Sequence, residues 1–237
     1  MKVNWTDEQQ QAMKRLYGQF VKAGDLVFNV GANIGTRTAV FVSLGAKVIA
    51  LEPQPDVASA LRQRFCNEKA VNVIQAAAGA KDGTVTLMLC TANPMATCAT
   101  GWAELLQDRY PAEKWGGTIE VPQVSLDTLI SRYGCPAFIK IDVEGYEREV
   151  LRGLTWQRVE GVRPIIGALC LEATIPYVEP AIECMEDLAG RLGFTEFNYI
   201  AQEHMKLVLK EWVDADEMGA ILRRLPIRTL TCDVFAR

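Results

Sequence analysis

The stretch LVFNVGANIG, residues 26–35, decides the fold of this chain, because an apolar run is followed at once by two glycines four positions apart. The run from Leu26 to Val30 predicts a short buried strand. Gly31 and Gly35 then predict a turn into a helix, since the absent Cβ permits unusual backbone angles and lets backbone amides approach a ligand at the helix N-terminus. We therefore expect a strand, a ligand-facing turn and a helix.

Strand and helix signals alternate on both sides of this stretch. A capping-box pattern at residues 6–9 opens a predicted helix that ends before Gly24. Further strands are predicted over residues 47–51, 71–75, 84–89, 138–141, 164–171, 195–200 and 229–235, and helices up to about 45 and over 55–65, 125–130, 146–151 and 181–192. The strand over 84–89 either pairs antiparallel beside the third strand or covers its end. Residues 90–118 have no clean period, and residues 205–212 are ambiguous.

This alternation predicts an α/β fold with a parallel sheet covered by helices on both faces. Such a sheet binds ligands at the edge where the carboxyl ends of its strands meet. The polar residues Asn29, Glu52, Asp142 and Glu172 all fall at or near predicted strand ends. We therefore expect them to converge on one crevice.

Length, charge and cysteine usage limit the classes of function. The 237 residues, 49% of them hydrophobic, are enough for one large core, so we expect a single domain over 1–237 that opens with a helix within residues 1–24. A net charge of −4 without blocks of like charge disfavours nucleic acid and anionic membranes as partners. The sequence shows no leader or membrane span, and its seven cysteines include no C-x-x-C pair, which predicts a soluble, cytoplasmic protein with reduced thiols.

The glycine turn differs from the dinucleotide and P-loop motifs. A dinucleotide fingerprint anchored at Gly31 requires glycines where Asn33 and Thr36 stand, and the P-loop pattern is missing as well. Glu52 closes the next strand, where a carboxylate can accept hydrogen bonds from both hydroxyls of a ribose. Together these features predict a nucleoside ligand without a pyrophosphate. The alternative is that Glu52 is a solvated strand end and the glycines only form the turn.

Three segments resemble one known family: VFNVGANIG at residues 27–35, ALEP at 50–53 and FIKIDVEGYE at 138–147. They are similar, in order and within a likeness over residues 24–235, to the FkbM family of S-adenosylmethionine-dependent methyltransferases. The resemblance implies a class I methyltransferase fold, which is Rossmann-like and doubly wound, with a mostly parallel seven-stranded sheet. It also implies S-adenosylmethionine as cofactor, S-adenosylhomocysteine as its product, and usually methyl transfer to a hydroxyl of a sugar or natural product.

The resemblance also implies which residues bind the cofactor. Gly31 and Gly35 are expected to cradle its methionine part, Glu52 to hold the ribose, and Ala76 and Ala77 to lie near the adenine. The full predicted set is Asn29, Gly31, Ala32, Asn33, Gly35, Glu52, Pro53, Ala76, Ala77 and Asp142. The family usually has Asp at the position of Asn29, so a neutral amide replaces a carboxylate here and weaker cofactor affinity is expected.

Methyl transfer from a sulfonium requires alignment of the acceptor and a group that receives its proton. Asp142 and Glu144 follow the fourth core strand at the ligand edge, so we predict them as the catalytic residues. Glu172 is a further candidate for contact with the acceptor, and the lone histidine, His204, is a weaker candidate base. No resident metal is predicted, although Asp142, Glu144 and Glu172 form a set that suits a hard divalent cation.

The function predicted from the sequence is O-methylation of a hydroxyl on a small molecule or glycan, with N-methylation left open. Residues 90–118, which include Trp102, Tyr110 and Trp115, are predicted to cover the acceptor pocket. Two alternatives remain. One is a cofactor-binding protein with weak or no activity, motivated by Asn29, and the other is a nicotinamide-dependent oxidoreductase, disfavoured by the glycine pattern. The acceptor and the oligomeric state do not follow from the sequence.

Overall fold

The computed structural model describes residues 6–90, 95–99, 101–104, 115–155, 166–175, 177–201, 204–226 and 231–237. Its strands are β1 (Leu26–Val30), β2 (Lys47–Leu51), β3 (Val71–Ile74), β4 (Ala77–Ala78), β5 (Gly83–Cys90), β6 (Ala96–Thr97), β7 (Trp115–Val124), β8 (Phe138–Ile141), β9 (Ala168–Thr174), β10 (Phe197–Ala201) and β11 (Thr231–Ala236). Its helices are α1 (Asp7–Tyr17), α2 (Thr36–Ser43), α3 (Pro55–Arg64), α4 (Leu126–Tyr133), α5 (Glu147–Arg152), α6 (Glu179–Gly190) and α7 (Ala215–Arg224). Residues 101–104 are also helical.

Seven strands form one sheet in the order β10-β11-β9-β8-β1-β2-β3. Neighbours from β9 through β3 pair in parallel, and β11 is antiparallel to both of its neighbours. The predicted fold, a doubly wound and mostly parallel seven-stranded sheet, is therefore confirmed. The chain builds outward from β1 in both directions, so a switch point lies between β1 and β8, and ligands in such sheets bind outside the carboxyl ends at this point.

The two faces of the sheet carry separate apolar cores. Phe28 and Ile139 belong to the core on one face, whereas Val27 and Phe138 belong to the core on the other. This alternation follows from the two-residue period of a strand. The second core includes α1, whose Tyr17 ring meets the Phe41 ring edge-on at a centroid distance of 5.0 Å. Helices thus cover both faces and hold β1 and β8 rigidly beneath the ligand edge.

The predicted opening helix is confirmed as α1, with the capping box of Thr6 and Gln9 in place. The strand predicted over residues 84–89 is β5, but of the two placements predicted for it, the one beside β3 is wrong. Strand β5 pairs antiparallel with β7 in a second sheet of order β4-β7-β5-β6. Strand β7 was not predicted, because most of its residues are exposed or half-buried and include Pro122, which leaves no apolar run in the sequence.

The C-terminal third departs from the predictions in two places. The fifth core strand is β9, which continues to Thr174, so Glu172 lies within the strand and faces Asp233 of β11 in the register rather than following the strand end. The start predicted at residue 164 lies outside the described residues. Helix α7 was missed, although Asp214 caps it by accepting a hydrogen bond from the Glu217 amide. Across the described residues, no helix combines the length and the apolar character needed to cross a membrane.

Candidate active site

The turn after β1 has a shape that only glycine permits. Gly31 has φ +79°, and a Cβ at this position would lie 1.8 Å from the backbone oxygen of Asp142. The amides of Gly31 and Ala32 both donate to the carbonyl of Leu51, at 3.1 and 2.7 Å. Gly35, with φ +85°, is the N-cap of α2. The turn therefore lies tightly between the end of β2 and the loop after β8.

Glu52 sits next to this turn with its carboxylate fixed by backbone amides. Asn33, whose φ of +47° is left-handed, donates its amide to Oε2 at 2.9 Å, and the Gln54 amide donates to Oε1 at 2.9 Å. Glu52 is only 3% exposed, so its reading as a solvated strand end is wrong. Burial raises the pKa of Glu52, while the two amides act in the opposite direction. The Gln54 side chain also bonds to this carboxylate, and its remaining acceptor capacity is available to a ligand hydroxyl.

A cavity of about 140 Å³ opens at this edge of the sheet. We call it the first cavity. The predicted site residues that line it are Gly31, Asn33, Glu52, Pro53, Ala76, Ala77, Asp142 and Glu144. Asn29, Ala32 and Gly35 are not among its lining residues. The Asn29 side chain is buried in the core, where its Nδ2 donates to Thr38 Oγ1 at 2.9 Å and ties β1 to α2.

Three carboxylates form a cluster, and two of them, Asp142 and Glu144, line the first cavity. One oxygen each from Asp142, Glu144 and Glu172 lies within 4.8 Å of the other two. Glu144 has a left-handed φ of +57°, and its carbonyl accepts a hydrogen bond from Thr97 Oγ1 at 2.6 Å. Burial and the negative charges of Asp142 and Glu144 raise the pKa of Glu172 well above its usual range. This carboxylate cluster is therefore suited to receive a proton.

A buried lysine lies beneath the cluster. Lys140 is 1% exposed, and its Nζ is 3.2 Å from Asp142 Oδ2 and 3.1 Å from Asp233 Oδ1. Burial alone lowers the pKa of Lys140, but the two carboxylates outweigh it and raise the pKa well above its ordinary value. Lys140 therefore stays charged, offsets part of the negative charge, and fixes the orientation of Asp142.

The loop between β8 and α5 closes around a fourth carboxylate. Glu147 Oε1 accepts the amides of Val143 at 3.0 Å and Gly145 at 3.4 Å. Burial, together with the nearby charge of Asp142, raises the pKa of Glu147 to about 7 against the pull of these amides. Glu147 thus shapes the loop that carries Asp142 and Glu144. His204, by contrast, is exposed and does not line the first cavity.

Comparison with known proteins identifies the family of this chain. The methyltransferase FkbM domain matches residues 29–210. This chain belongs to the FkbM methyltransferase family. It is 32% identical over 176 residues to the 31-O-demethyl-FK506 methyltransferase FkbM of Streptomyces tacrolimicus, a match that covers 62% of this chain and 66% of that protein. It is 28% identical over 149 residues to the hexuronic acid methyltransferase AglP of Haloferax volcanii, covering 62% of this chain and 56% of that protein.

The chain thus spans less than two thirds of the length of these FkbM-family relatives. Among solved structures, a precorrin 8w decarboxylase from Methanobacterium thermoautotrophicum superposes with a TM-score of 0.50 at 12% identity, covering 100% of this chain and 92% of that one. At this identity the likeness shows the fold alone. The predicted class I methyltransferase fold is confirmed by the sheet order and by this match.

Several residues of this FkbM-family site were missed by sequence reasoning. Leu87, Met95, Ala96 and Cys98 line the first cavity from the second sheet and the segment after it. Leu87 lies in a predicted strand that was given no role, and the other three lie in the segment without a clean period. Lys140 was quoted within its motif but given no role. Its signal was a lysine inside an otherwise apolar strand, since buried charges are almost always paired. Trp102 packs edge-on against Trp115 at 5.9 Å, and Tyr110 lies outside the described residues.

Proposed function

We propose that this protein is an S-adenosylmethionine-dependent methyltransferase that methylates a hydroxyl of a sugar or natural-product small molecule. The observation that carries the proposal is the Glu52 carboxylate, which is buried beside the glycine turn and lines the same cavity as Asp142. Family membership supports methyl transfer, and the names of the two curated relatives support hydroxyl-bearing acceptors. We further propose that residues 1–237 act as one domain and that the described parts of the segment 90–118 (residues 90, 95–99, 101–104 and 115–118) cover the acceptor, while the rest of the predicted cover lies outside the described residues.

The lining of the first cavity fits the cofactor part by part. The remaining acceptor capacity of Glu52 suits a ribose hydroxyl, and the small apolar side chains of Ala76 and Ala77 leave room for the adenine ring. Asp142 and Glu144 bring negative charge to the side where a sulfonium and an ammonium group require it. When bound, the cofactor supplies a methyl group on positively charged sulfur, activated for transfer.

The residues of the chain then have to orient the acceptor and accept its proton. Lys140 holds Asp142 Oδ2, which leaves Oδ1 as the oxygen that receives a hydrogen bond from the acceptor hydroxyl. As the hydroxyl oxygen gains the methyl group, its proton passes to a carboxylate of the cluster and later to solvent. The raised pKa of Glu172 lets the cluster hold that proton until the methylated product leaves. The roles of Asp142 and Glu144 as catalytic residues are part of this proposal.

Ligand-induced stabilisation tests the proposed cofactor. S-adenosylhomocysteine at roughly 100 times its Kd is expected to stabilise the fold by about 2.7 kcal/mol. For a chain of this size, that corresponds to a rise in Tm of roughly 5 to 10 °C. NAD serves as the control and is expected to have no effect. A shift with NAD and none with S-adenosylhomocysteine refutes the proposal in favour of an oxidoreductase, whereas binding without turnover on any hydroxylated acceptor favours an inactive cofactor-binding protein.

A further inference from the structure

A second cavity, of about 260 Å³, adjoins the first across the loop between β8 and α5. Asp142 and Glu144 of this loop line the first cavity, whereas Gly145 and Glu147 line the second. Glu172 also lines the second cavity, and one of its carboxylate oxygens lies within 4.8 Å of those of Asp142 and Glu144. The two cavities therefore meet at the carboxylate cluster.

An indole ring forms one wall of the second cavity and is fixed at both ends. Trp102 packs so closely on Gly145 that a Cβ there would lie 2.4 Å from its ring. Its Nε1 donates to Thr174 Oγ1 of β9 at 3.3 Å. The Tyr177 side chain and the small residues Ala173 and Ala181 complete a mainly apolar lining. Aromatic faces of this kind suit the C–H faces of a saturated ring, and the carboxylates supply hydrogen-bond acceptors for its hydroxyls.

The charges around the second cavity disfavour an anionic ligand. Among the described residues that line it, Arg148 is the only cation, and its Nη1 is already 2.6 Å from Glu183 Oε2. Glu147 and Glu172 line the cavity as well, and the rest of the carboxylate cluster adjoins it. The raised pKa values of Glu147 and Glu172 favour their neutral forms, but a carboxylate or phosphate on the ligand would still meet the negative charge of the rest of the cluster. Arg148 is already paired and does not balance it, and such juxtapositions of like charge are costly.

We propose that the second cavity is the acceptor site and that it takes a neutral, hydroxylated ring of monosaccharide size. The ring packs against Trp102, and the hydroxyl to be methylated points toward Glu172 and Asp142. This inference rests on the proposed methyltransferase function and narrows its substrate class to uncharged acceptors. It also makes Trp102 and Ala181 residues that determine acceptor specificity.

Two matched probes test the charge preference on protein saturated with S-adenosylhomocysteine. Methyl β-D-glucopyranoside is neutral, and methyl β-D-glucuronide differs from it by one carboxylate. In titrations followed by saturation-transfer NMR, the neutral probe is expected to bind roughly tenfold or more tightly, the factor that about 1.4 kcal/mol produces. Glu183→Gln frees Arg148 and is expected to narrow this preference, whereas Glu186→Gln, an exposed change on the same helix, leaves it unchanged.

A cavity-filling pair tests the location. Ala181→Leu places extra volume in the second cavity and is expected to abolish binding of the neutral probe while the Kd for S-adenosylhomocysteine stays the same. Ala189→Leu, the same change further along α6, is the control and keeps both affinities. Equal or tighter binding of the glucuronide, or full affinity in Ala181→Leu, overturns the assignment. Cofactor-loaded protein that binds neither probe refutes this assignment alone, whereas protein that binds no S-adenosylhomocysteine refutes the proposed function as well.

Discussion

Glu52 and the carboxylate cluster lie at the same edge of the sheet but are held in opposite ways. Each oxygen of Glu52 accepts one backbone amide, and its pKa is shifted by burial and hydrogen bonds. The cluster of Asp142, Glu144 and Glu172 is instead dominated by mutual repulsion, and Lys140 offsets only part of it. The first arrangement suits binding of neutral hydroxyls without proton transfer. The second suits a group that takes up and releases a proton.

The magnitude of the repulsion supports this contrast. Two unit charges at the 4.8 Å that bounds the cluster repel by about 3 to 4 kcal/mol at an effective dielectric constant of 20. Three ionised carboxylates together are therefore too costly for one lysine to balance, which explains why the pKa of Glu172 is raised. No charged group acts on the pKa of Glu52, which is held as an acceptor by the amides of Asn33 and Gln54 and by the Gln54 side chain.

Asp142→Asn is the change with the largest expected effect, because it breaks the cluster while leaving Glu52 intact. If Asp142 receives or positions the acceptor hydroxyl, kcat falls by about 10² to 10⁴, the usual contribution of general-base catalysis. The Kd for S-adenosylhomocysteine is expected to change much less than kcat, because the amide keeps the shape of Asp142 and this product lacks the sulfonium charge. Methyl transfer from tritiated cofactor to a hydroxylated acceptor, together with calorimetry, separates the two quantities.

Glu144→Gln and a chelator complete this test. If both amide variants keep the parental kcat, the two carboxylates are scaffold, and the reaction proceeds by alignment or through Glu172. Loss of activity on addition of a chelator, restored by Mg²⁺, indicates that the cluster holds a metal rather than acting as a base. Activity that is insensitive to chelator and low in Asp142→Asn supports the carboxylate base.

Lys140→Met tests the balance of charge beneath the cluster. Removing one partner of a buried ion pair leaves uncompensated charge on Asp142 and Asp233, so the free energy of unfolding is expected to fall by about 3 to 5 kcal/mol. Urea denaturation measures this loss, and Lys47→Met, at an exposed lysine, is the control with little effect. Adding Asp233→Asn to Lys140→Met is expected to restore part of the stability. Additive losses in the double variant contradict the proposed coupling.

The site formed by Glu52 and the glycine turn could be predicted from the sequence, whereas the carboxylate cluster could be predicted only in part. Gly31, Gly35 and Glu52 lie within one strand-turn-helix-strand unit, so local spacing was enough to find them. Lys140 pairs with Asp233, a residue 93 positions away that reaches it only because β11 inserts antiparallel beside β9. Strand β5 was predicted, but its pairing in a second sheet was missed for a related reason, since β7 is identified by its pairing with β5 rather than by an apolar pattern of its own.

Glu147→Gln tests whether burial and the nearby charge of Asp142 raise the pKa of Glu147 in the loop after β8. Folding raises the pKa of Glu147 from 4.5 to about 7, so its contribution to stability is fully present below pH 4.5 and is lost as the pH rises through 7. The amide variant cannot ionise, so its free energy of unfolding is expected to rise relative to that of the parent as the pH increases over this range, by up to about 3 kcal/mol. Unfolding free energies measured at pH 4.5 and pH 8 check the change. Parallel pH profiles for the two proteins would contradict it.

Glu52→Ala has the smallest expected effect and tests whether Glu52 binds the cofactor. It is expected to weaken binding of S-adenosylhomocysteine by about 1.5 to 3 kcal/mol, the typical contribution of hydrogen bonds to a charged group. Glu52→Gln keeps one carbonyl oxygen as an acceptor and should lose less. Glu68→Ala, at an exposed glutamate beyond α3, is the control for a change of net charge. Glu52→Ala also removes the acceptors of the Asn33 and Gln54 amides. If Glu52→Ala and Glu52→Gln weaken binding equally, the cause is a disturbed loop rather than a lost ribose contact.

If calorimetry finds that Glu52→Ala and Glu52→Gln both bind S-adenosylhomocysteine like the parent, Glu52 holds no hydroxyl.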